Sequence, residues 1–302
     1  MATPDLELNV RRVALIGLGE VGTILATDLK ANYPELAIVA FDLLHDKPAM
    51  QQKAQDLSIR MATSLSQAVE ESQLIFSAVT AAQALSVAEH AATLIGRGQT
   101  FLDLNSVSPN TKRQAAEFIS RHGGEYVDVA VMAPFPPARL KTPLLLGGKQ
   151  AQATRLWLNA RGFNSQVHST EVGEASAIKM CRSVMIKGLE ALTTECLSAA
   201  RQYGVEKEVL ASLHASFPSL GWDDKLPHYL ISRVAEHGKR RAEEMREVVK
   251  TLEDVGVVPH QSKATVETQQ GFIDALTAHS LSYRDLVPFD WEKTVDRLYK
   301  SH

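Results

Sequence analysis

The sequence has few cysteines and few aromatic residues, and it lacks both a long apolar run and an excess of charge of one sign. Cys181 and Cys196 are its two cysteines in 302 residues. Disulfides therefore cannot hold the fold together, and the spacing of the two cysteines is not a metal-ligand pattern, so no metal site is predicted. We expect two buried thiols in a reducing compartment. The N-terminal segment has no apolar core typical of a signal peptide, which favours the cytoplasm.

Charge and hydropathy exclude two classes of partner. The 32 basic and 35 acidic side chains leave a net charge of -3, whereas nucleic-acid binding depends on concentrated basic surface. The longest apolar stretches, such as Val127 to Pro137, reach about a dozen residues, and a membrane-spanning helix needs roughly 20. We therefore expect neither a nucleic acid nor a membrane as partner.

Short apolar runs alternate with helical patterns in the first half of the chain. Continuous apolarity is typical of parallel strands that are covered on both faces. The runs are VALIG (13–17), AIVAFD (37–42), LIFSAV (74–79), TFLDLN (100–105) and EYVDVAVM (125–132), with LLLGG (144–148) and FNSQVHS following. A helix is predicted from Pro109 to Arg121, with Ser108 as its N-cap. This alternation predicts the α/β class, with a doubly wound, Rossmann-type sheet.

Strand signals stop after about residue 170. Glu171 to Tyr203 contains no proline, and its apolar residues recur every three or four positions, which predicts one long helix with an apolar face. That face comprises Ile178, Cys181, Met185, Leu189, Leu192, Cys196 and Ala199. Further helical patterns cover Lys207–Ala215, Lys239–Leu252 and Val266–His279. We predict an α/β domain at 1–168 and an all-helical domain at 169–302, joined by the long helix.

A glycine-rich turn follows the first predicted strand and opens a helix. It reads Gly17-Leu18-Gly19-Glu20-Val21-Gly22, and such a turn lets a pyrophosphate approach the backbone at a helix N-terminus. Asp42 ends the second predicted strand about 20 residues later. Its carboxylate would accept the ribose hydroxyls of NAD and repel the 2′-phosphate of NADP. NAD is the predicted cofactor, with NADP as the alternative, since His45 and Lys47 would soften that repulsion. Val79, Thr80 and Asn105 are assigned to the same cofactor.

Four motifs together resemble the β-hydroxyacid dehydrogenases related to 6-phosphogluconate and 3-hydroxyisobutyrate dehydrogenases. GLGEVG stands where that family has G-L-G-x-M-G, and DLNSVSP from Asp103 is similar to its D-x-S-T-x-x-P. DVAVMAP from Asp128 stands at its D-A-P-V-S-G-G segment, and VGEASAIK from Val172 resembles G-x-G-x-x-x-K. The segment RRAEEM from Arg240 resembles a subgroup with a divergent C-terminal domain.

The resemblance implies an oxidoreductase that moves hydride between a nicotinamide and a hydroxyl/carbonyl pair, with a 3-hydroxy acid or a derivative as the small-molecule substrate. Lys179 is then the general acid/base, and we expect partial burial to lower the pKa of its amine. Ser183 stands at the family's asparagine, and Ser106 is expected to contact substrate. The resemblance also implies that 1–168 is a dinucleotide-binding Rossmann domain and that 169–302 is an all-helical substrate and dimerisation domain of a homodimer.

Met132, Ala133 and Pro134 replace the family's Ser-Gly-Gly, which removes one hydroxyl and one backbone N–H. Either the substrate is bulkier and more apolar than short hydroxy acids, or this segment, with Phe135 after it, serves local packing.

Two other functions remain open at this point. An imine reductase would use the same fold, although that related group usually replaces the lysine with another proton donor. A non-catalytic redox sensor would bind the dinucleotide and signal to a partner. Lys179 itself would be an ordinary solvated lysine if the resemblance failed, since Lys187 shows that lysines recur on this helix.

Overall fold

An eight-stranded sheet forms the first unit of the chain in the computed structural model, which describes residues 8–299. Its strands are β1 (Arg12–Ile16), β2 (Ala37–Phe41), β3 (Arg60–Met61), β4 (Leu74–Ser77), β5 (Thr100–Asp103), β6 (Glu125–Val131), β7 (Pro143–Gly147) and β8 (Asn164–Ser169). They lie in the order β3-β2-β1-β4-β5-β6-β7-β8. The order reverses between β1 and β4, and open α/β sheets bind ligands at the carboxyl edge of such a reversal.

The predicted α/β fold is confirmed, with two strands, β7 and β8, running against the other six. The first six strands of the sheet, from β3 to β6 in the order above, run parallel to one another. β7 pairs antiparallel with β6, and β8 runs parallel to β7. The link between β6 and β7 holds only a short helix and a 3-10 turn. A parallel crossover needs a dozen or more residues, so this link permits only the antiparallel return.

Seven helices cover the sheet among the residues described. They are α1 (Glu20–Asn32), α2 (Pro48–Asp56), α3 (Leu65–Val69), α4 (Ala81–Ala92), α5 (Pro109–Arg121), α6 (Phe135–Ala138) and α7 (Ala151–Ala160). The Ser108 hydroxyl accepts the N–H of Thr111, which confirms the predicted N-cap of α5. Neighbouring strand residues such as Leu15 and Ile16 enter separate buried clusters. Both faces are thus covered, which explains the continuously apolar runs.

The second unit is helical and begins at Cys181, inside α8 (Glu174–Tyr203). It continues with α9 (Glu206–Ser216), α10 (Leu226–Glu253), α11 (His260–Ala278) and α12 (Trp291–Tyr299). Its buried apolar cluster includes Leu197, Ile231, Phe272, Trp291 and Val295. α10 starts 13 residues before the predicted Lys239, and α12 was not predicted, although Trp291, Val295 and Leu298 recur at helical spacing. Within the part of the chain described, no helix is long and apolar enough to cross a membrane.

The face of the long helix α8 that the sequence predicts to be apolar and buried is exposed. The prediction of buried thiols is wrong, because both cysteines are exposed. They lie on the predicted apolar face, where Met185 is 64% and Leu192 58% exposed. The opposite face is buried and carries polar as well as apolar side chains, because partners on α10 and α11 pair with its charged groups. The buried polar residues of α8 are Ser176, Ser183, Lys187, Glu190, Thr193 and Thr194.

Candidate active site

The glycine-rich turn between β1 and α1 has the geometry of a phosphate cradle. Gly17 has φ +91°, and a Cβ there would lie 2.5 Å from the carbonyl oxygen of Ala78. A Cβ on Gly22 would collide with the carbonyl oxygen of Gly17. A Cβ on Gly19, by contrast, would meet nothing within 4 Å. The turn is therefore closed on its protein side and open at the helix N-terminus, which fits an approaching pyrophosphate.

Asp42 follows β2 and braces this turn. Its Oδ2 accepts the N–H of Leu18 at 2.9 Å, and its Oδ1 accepts the N–H of Leu44 at 2.9 Å. Lys53 Nζ donates to the carbonyl of Leu18 at 3.3 Å from the other side. The carboxylate thus lies beside the phosphate cradle, where the ribose of a dinucleotide would follow the pyrophosphate.

The other residues assigned to the cofactor divide by exposure. Leu18 is fully buried and offers only its backbone, and Val21 packs against the core. Glu20 and Thr80 are exposed at the first turns of α1 and α4. His45 Nδ1 lies 3.0 Å from the carbonyl of Asp42, and Lys47 pairs with Asp46 at 3.5 Å.

Asn105 connects two strand ends at the same edge. Its Oδ1 accepts the N–H of Val79 at 2.7 Å, and its Nδ2 donates to Ser77 Oγ at 3.0 Å. β4 and β5 both end here, next to β1. The structure therefore brings Val79 and Asn105 together on the edge that carries the glycine turn.

Lys179 and Ser106 are in direct contact. Lys179 Nζ donates to Ser106 Oγ at 2.6 Å, and both side chains are half-buried. Ser106 follows β5, so the pair lies at the carboxyl edge of the sheet. An amine and a hydroxyl at this distance can hold or pass one proton at the oxygen of a bound ligand.

Ser183 stands one turn after Lys179 on α8 and belongs to the second unit. It is buried, and its Oγ accepts from Lys187 Nζ at 3.3 Å. Lys187 is itself buried and pairs with Glu244 at 2.8 Å. Lys187 is therefore not the solvated lysine that its sequence position suggested, because a partner on α10 compensates its buried charge.

In the segment after β6, one residue extends the backbone pairing of the sheet and another packs in the core. Met132 donates its N–H to the carbonyl of Pro143 at 2.9 Å, and Ala133 and Pro134 are exposed. Phe135 is only 3% exposed and belongs to the apolar core. Of the two interpretations, local packing therefore holds for Phe135.

A buried charge cluster beside this site was not predicted. The carboxylates of Asp103 and Asp128 both form ion pairs with the fully buried Lys112. Both aspartates lie in quoted motifs, and Lys112 lies on the core side of α5. A lysine among the helix's apolar positions was the available signal, but long-range pairing cannot be read from one sequence. Within residues 8–299, no group of three or more His, Cys, Asp or Glu side chains is arranged to hold a metal ion.

Two protein families match consecutive parts of the chain. Residues 12–157 match the NAD binding domain of 6-phosphogluconate dehydrogenase, and residues 200–272 match a domain of unknown function, DUF1932. The first unit therefore contains an NAD(P)-binding domain, in agreement with the open glycine cradle.

Relatives and solved structures extend this likeness over most of the chain. A conserved hypothetical protein of Sinorhizobium meliloti 1021 is 34% identical, with 95% of this chain and 96% of that one covered and a TM-score of 0.72. A conserved protein of unknown function, described as structurally similar to 3-hydroxyacid dehydrogenases, is 31% identical, with 87% and 97% covered and a TM-score of 0.67.

Two relatives with named activities are more distant. The mitochondrial 3-hydroxyisobutyrate dehydrogenase of Drosophila melanogaster is 23% identical, over 72% of this chain and 67% of that protein. An NADPH-dependent reductive aminase of Aspergillus oryzae is 24% identical, over 55% and 56%.

Proposed function

Because the chain belongs to the β-hydroxyacid dehydrogenase family, in a subgroup whose C-terminal domain is DUF1932, we propose that it interconverts a hydroxyl and a carbonyl group with NAD(H). The substrate class is a 3-hydroxy acid or a derivative. The observation that supports this most is the 2.6 Å contact between Lys179 Nζ and Ser106 Oγ on the edge that carries the glycine cradle.

The bound nicotinamide would supply the hydride acceptor. In the oxidation direction, the neutral amine of Lys179 takes the proton of the substrate hydroxyl as the carbon loses hydride. In the reduction direction, the ammonium of Lys179 returns that proton to the carbonyl oxygen. Ser106 holds the substrate oxygen close to Nζ, because its hydroxyl both donates and accepts. Ser183 is proposed to assist at the same substrate.

The segment Met132-Ala133-Pro134 supports a substrate larger than the short hydroxy acids. Pro134 has no N–H to offer a carboxylate, and Met132 has no hydroxyl. Ala133 and Pro134 are exposed, which leaves space beside them for an apolar group.

A cofactor-reduction screen tests the proposal. NAD and the purified protein are incubated with β-hydroxy acids of increasing size, including aromatic ones, and NADH is followed by absorbance. We expect turnover that rises with the size of the apolar group. Turnover of no hydroxy acid, together with tight binding of NAD, would favour the redox sensor.

An imine reductase is the second candidate, and the reductive aminase among the relatives is the observation that favours it. Lys179 argues against it, since that group usually carries another proton donor at this position. Supplying a ketone with and without an amine, and identifying the product by mass spectrometry, separates alcohol from amine formation.

We propose further that the protein is a cytoplasmic homodimer. The exposed apolar face of α8 supports a subunit contact, because such faces on soluble proteins usually mark interfaces. The two exposed thiols lie 15 positions apart on one helix, too far to bond to each other within the chain, and they fit a reducing compartment.

A further inference from the structure

Lys112 is a fully buried ammonium that lies between two carboxylates. Its Nζ is 3.1 Å from Asp103 Oδ1 and 3.4 Å from Asp128 Oδ1, and it donates to the backbone carbonyl of Asp103 at 2.6 Å. All three side chains are at most 2% exposed. A buried charge of this kind persists only when close partners compensate its lost hydration. Lys112 therefore fixes the end of β5 and the middle of β6 relative to α5.

Asp128 connects Lys112 to the first turn of α8. Its Oδ2 accepts the N–H groups of Gly173 and Ser176 at 3.2 and 3.0 Å, and its Oδ1 accepts the Ser176 hydroxyl at 2.5 Å. α8 begins at Glu174, so the carboxylate lies at its positive end and holds its first turn. Lys179 is three residues after Ser176, one turn further along the same helix.

Asp103 connects Lys112 to the segment after β5 that contains Ser106. Its Oδ1 accepts the N–H of Asn105 at 2.8 Å, and its Oδ2 accepts the hydroxyl of Tyr126 at 2.6 Å. Burial, together with the charges of both aspartates, raises the pKa of Tyr126, which keeps this hydroxyl a donor. Asn105 is bonded to Val79 at the end of β4 and immediately precedes Ser106. The position of Ser106 thus depends on Asp103.

We propose that Lys112 is a positioning residue that sets the contact between Lys179 and Ser106. One ammonium holds Asp128, which anchors the helix of Lys179, and Asp103, which anchors the strand end of Ser106. This inference rests on the proposed function for its catalytic meaning, because Lys179 is the proposed proton carrier. The geometry itself can be tested without turnover.

The test measures the chemical state of Lys179 directly. The intact protein is acetylated with trace acetic anhydride across a pH series, and mass spectrometry of peptides gives the rate at Lys179, with the exposed Lys207 as internal standard. Ser176→Ala removes the hydroxyl that bonds α8 to Asp128 Oδ1 without changing any charge, and it leaves the two backbone N–H bonds to Oδ2. Loss of alignment weakens the charge-assisted bond from Lys179 to Ser106, so the midpoint of the Lys179 profile should fall by about half a pH unit or more.

Two further variants complete the design. Lys112→Met alone would leave two buried carboxylates without their cation, so it is combined with Asp103→Asn, which keeps the net charge of the cluster. This double variant should shift the Lys179 profile in the same direction. Ser72→Ala is the matched control, since Ser72 is a buried serine whose hydroxyl donates to the carbonyl of Ala68 and which lies outside the cluster. It should leave the profile unchanged.

The outcomes separate this inference from the proposed function. Unchanged Lys179 profiles in Ser176→Ala and in the double variant would overturn the positioning role. A shifted profile in a protein that oxidises no hydroxy acid would support the positioning role and reject the proposed function. Where turnover is found, Ser176→Ala should lower kcat about tenfold and leave the KM for NAD unchanged, because the cluster aligns the proton carrier.

Discussion

A substitution at Lys179 distinguishes a catalytic role of this residue from a structural one. Lys179→Met keeps the aliphatic stem and the helix propensity and removes the proton-accepting atom. If Lys179 is the general acid/base, kcat should fall by about 10²–10⁴-fold, the usual contribution of a positioned proton-transfer group. Affinity for NAD, measured by fluorescence titration, should hardly change, because the proposed cofactor contacts are the glycine turn and Asp42.

The matched control for this variant is Lys207→Met, an exposed lysine on α9. It should keep full activity. Near-normal kcat in Lys179→Met would show that another group carries the proton.

Asp42 is the residue that we propose selects between the two nicotinamide cofactors. We expect a higher kcat/KM with NAD than with NADP, because the carboxylate repels a 2′-phosphate. Asp42→Asn keeps an oxygen that can accept the N–H of Leu18 and removes the charge, so the preference should narrow by about 10- to 100-fold, which corresponds to about 1.4–2.8 kcal/mol.

Asp46 lies in the same loop and provides the comparison for Asp42. It pairs with Lys47 and is well exposed, so Asp46→Asn should leave the cofactor preference nearly unchanged. A clear preference for NADP in the unmodified protein would show that Asp42 does not select the cofactor.

At the scale of elements, buried ion pairs join α8 to α10. Lys187 pairs with Glu244 at 2.8 Å, and Glu190 pairs with Arg241 at 2.8 Å. Lys187→Met should lower the free energy of unfolding by about 3 kcal/mol, since it leaves a buried carboxylate with one partner fewer. Urea denaturation measures this change.

Lys187→Met should still retain most of its activity where it is folded. Adding Glu244→Gln to Lys187→Met should recover part of the lost stability. If Lys187→Met alone were as stable as the unmodified protein, the ion pair would contribute nothing to the free energy of unfolding.

His237 on α10 gives these helices a dependence on pH. Burial, followed by the charges of Arg233, Arg240 and Arg241, lowers the pKa of His237 to about 4, although Glu244 acts in the opposite direction. The unfolded chain then binds the extra proton between pH of about 4 and 6.5, so stability rises with pH across that window and is complete above it.

His237→Gln should reduce the change in the free energy of unfolding across this window by about 1–2 kcal/mol, a value reduced because the ring is partly exposed. Burial raises the pKa of Glu190, which gives a slope of the opposite sign, so the comparison of variant with unmodified protein isolates His237. Thermal unfolding from pH 4 to 7 measures it, and equal slopes would contradict the assignment.

At the scale of the whole molecule, the exposed apolar face of α8 predicts association. We expect light scattering at micromolar concentration to give twice the mass of one chain, in keeping with the prevalence of two-fold symmetric dimers. Met185→Glu combined with Leu192→Glu should yield monomers, because charges placed in an apolar contact lose their hydration. A monomeric unmodified protein would refute the homodimer.

Local pattern was sufficient for the sheet and for the cofactor turn. Strands covered on both faces must be continuously apolar, and Gly17 and Gly22 occupy positions where a side chain would collide with backbone. These constraints act between residues close in sequence or within one element. They therefore predicted seven of the strands, the N-cap of α5 and the place of Asp42 from the sequence alone.

Only the tertiary structure decided which face of α8 is buried and what surrounds Lys179. Amphipathic periodicity shows that a helix has two faces, but a polar face can be buried when another helix supplies opposite charges, as α10 does for Lys187 and Glu190. The same holds for Lys112, whose partners lie 9 and 16 positions away on separate strands. Pairing of buried charges is a long-range property of the packed chain, and the sequence by itself does not specify it.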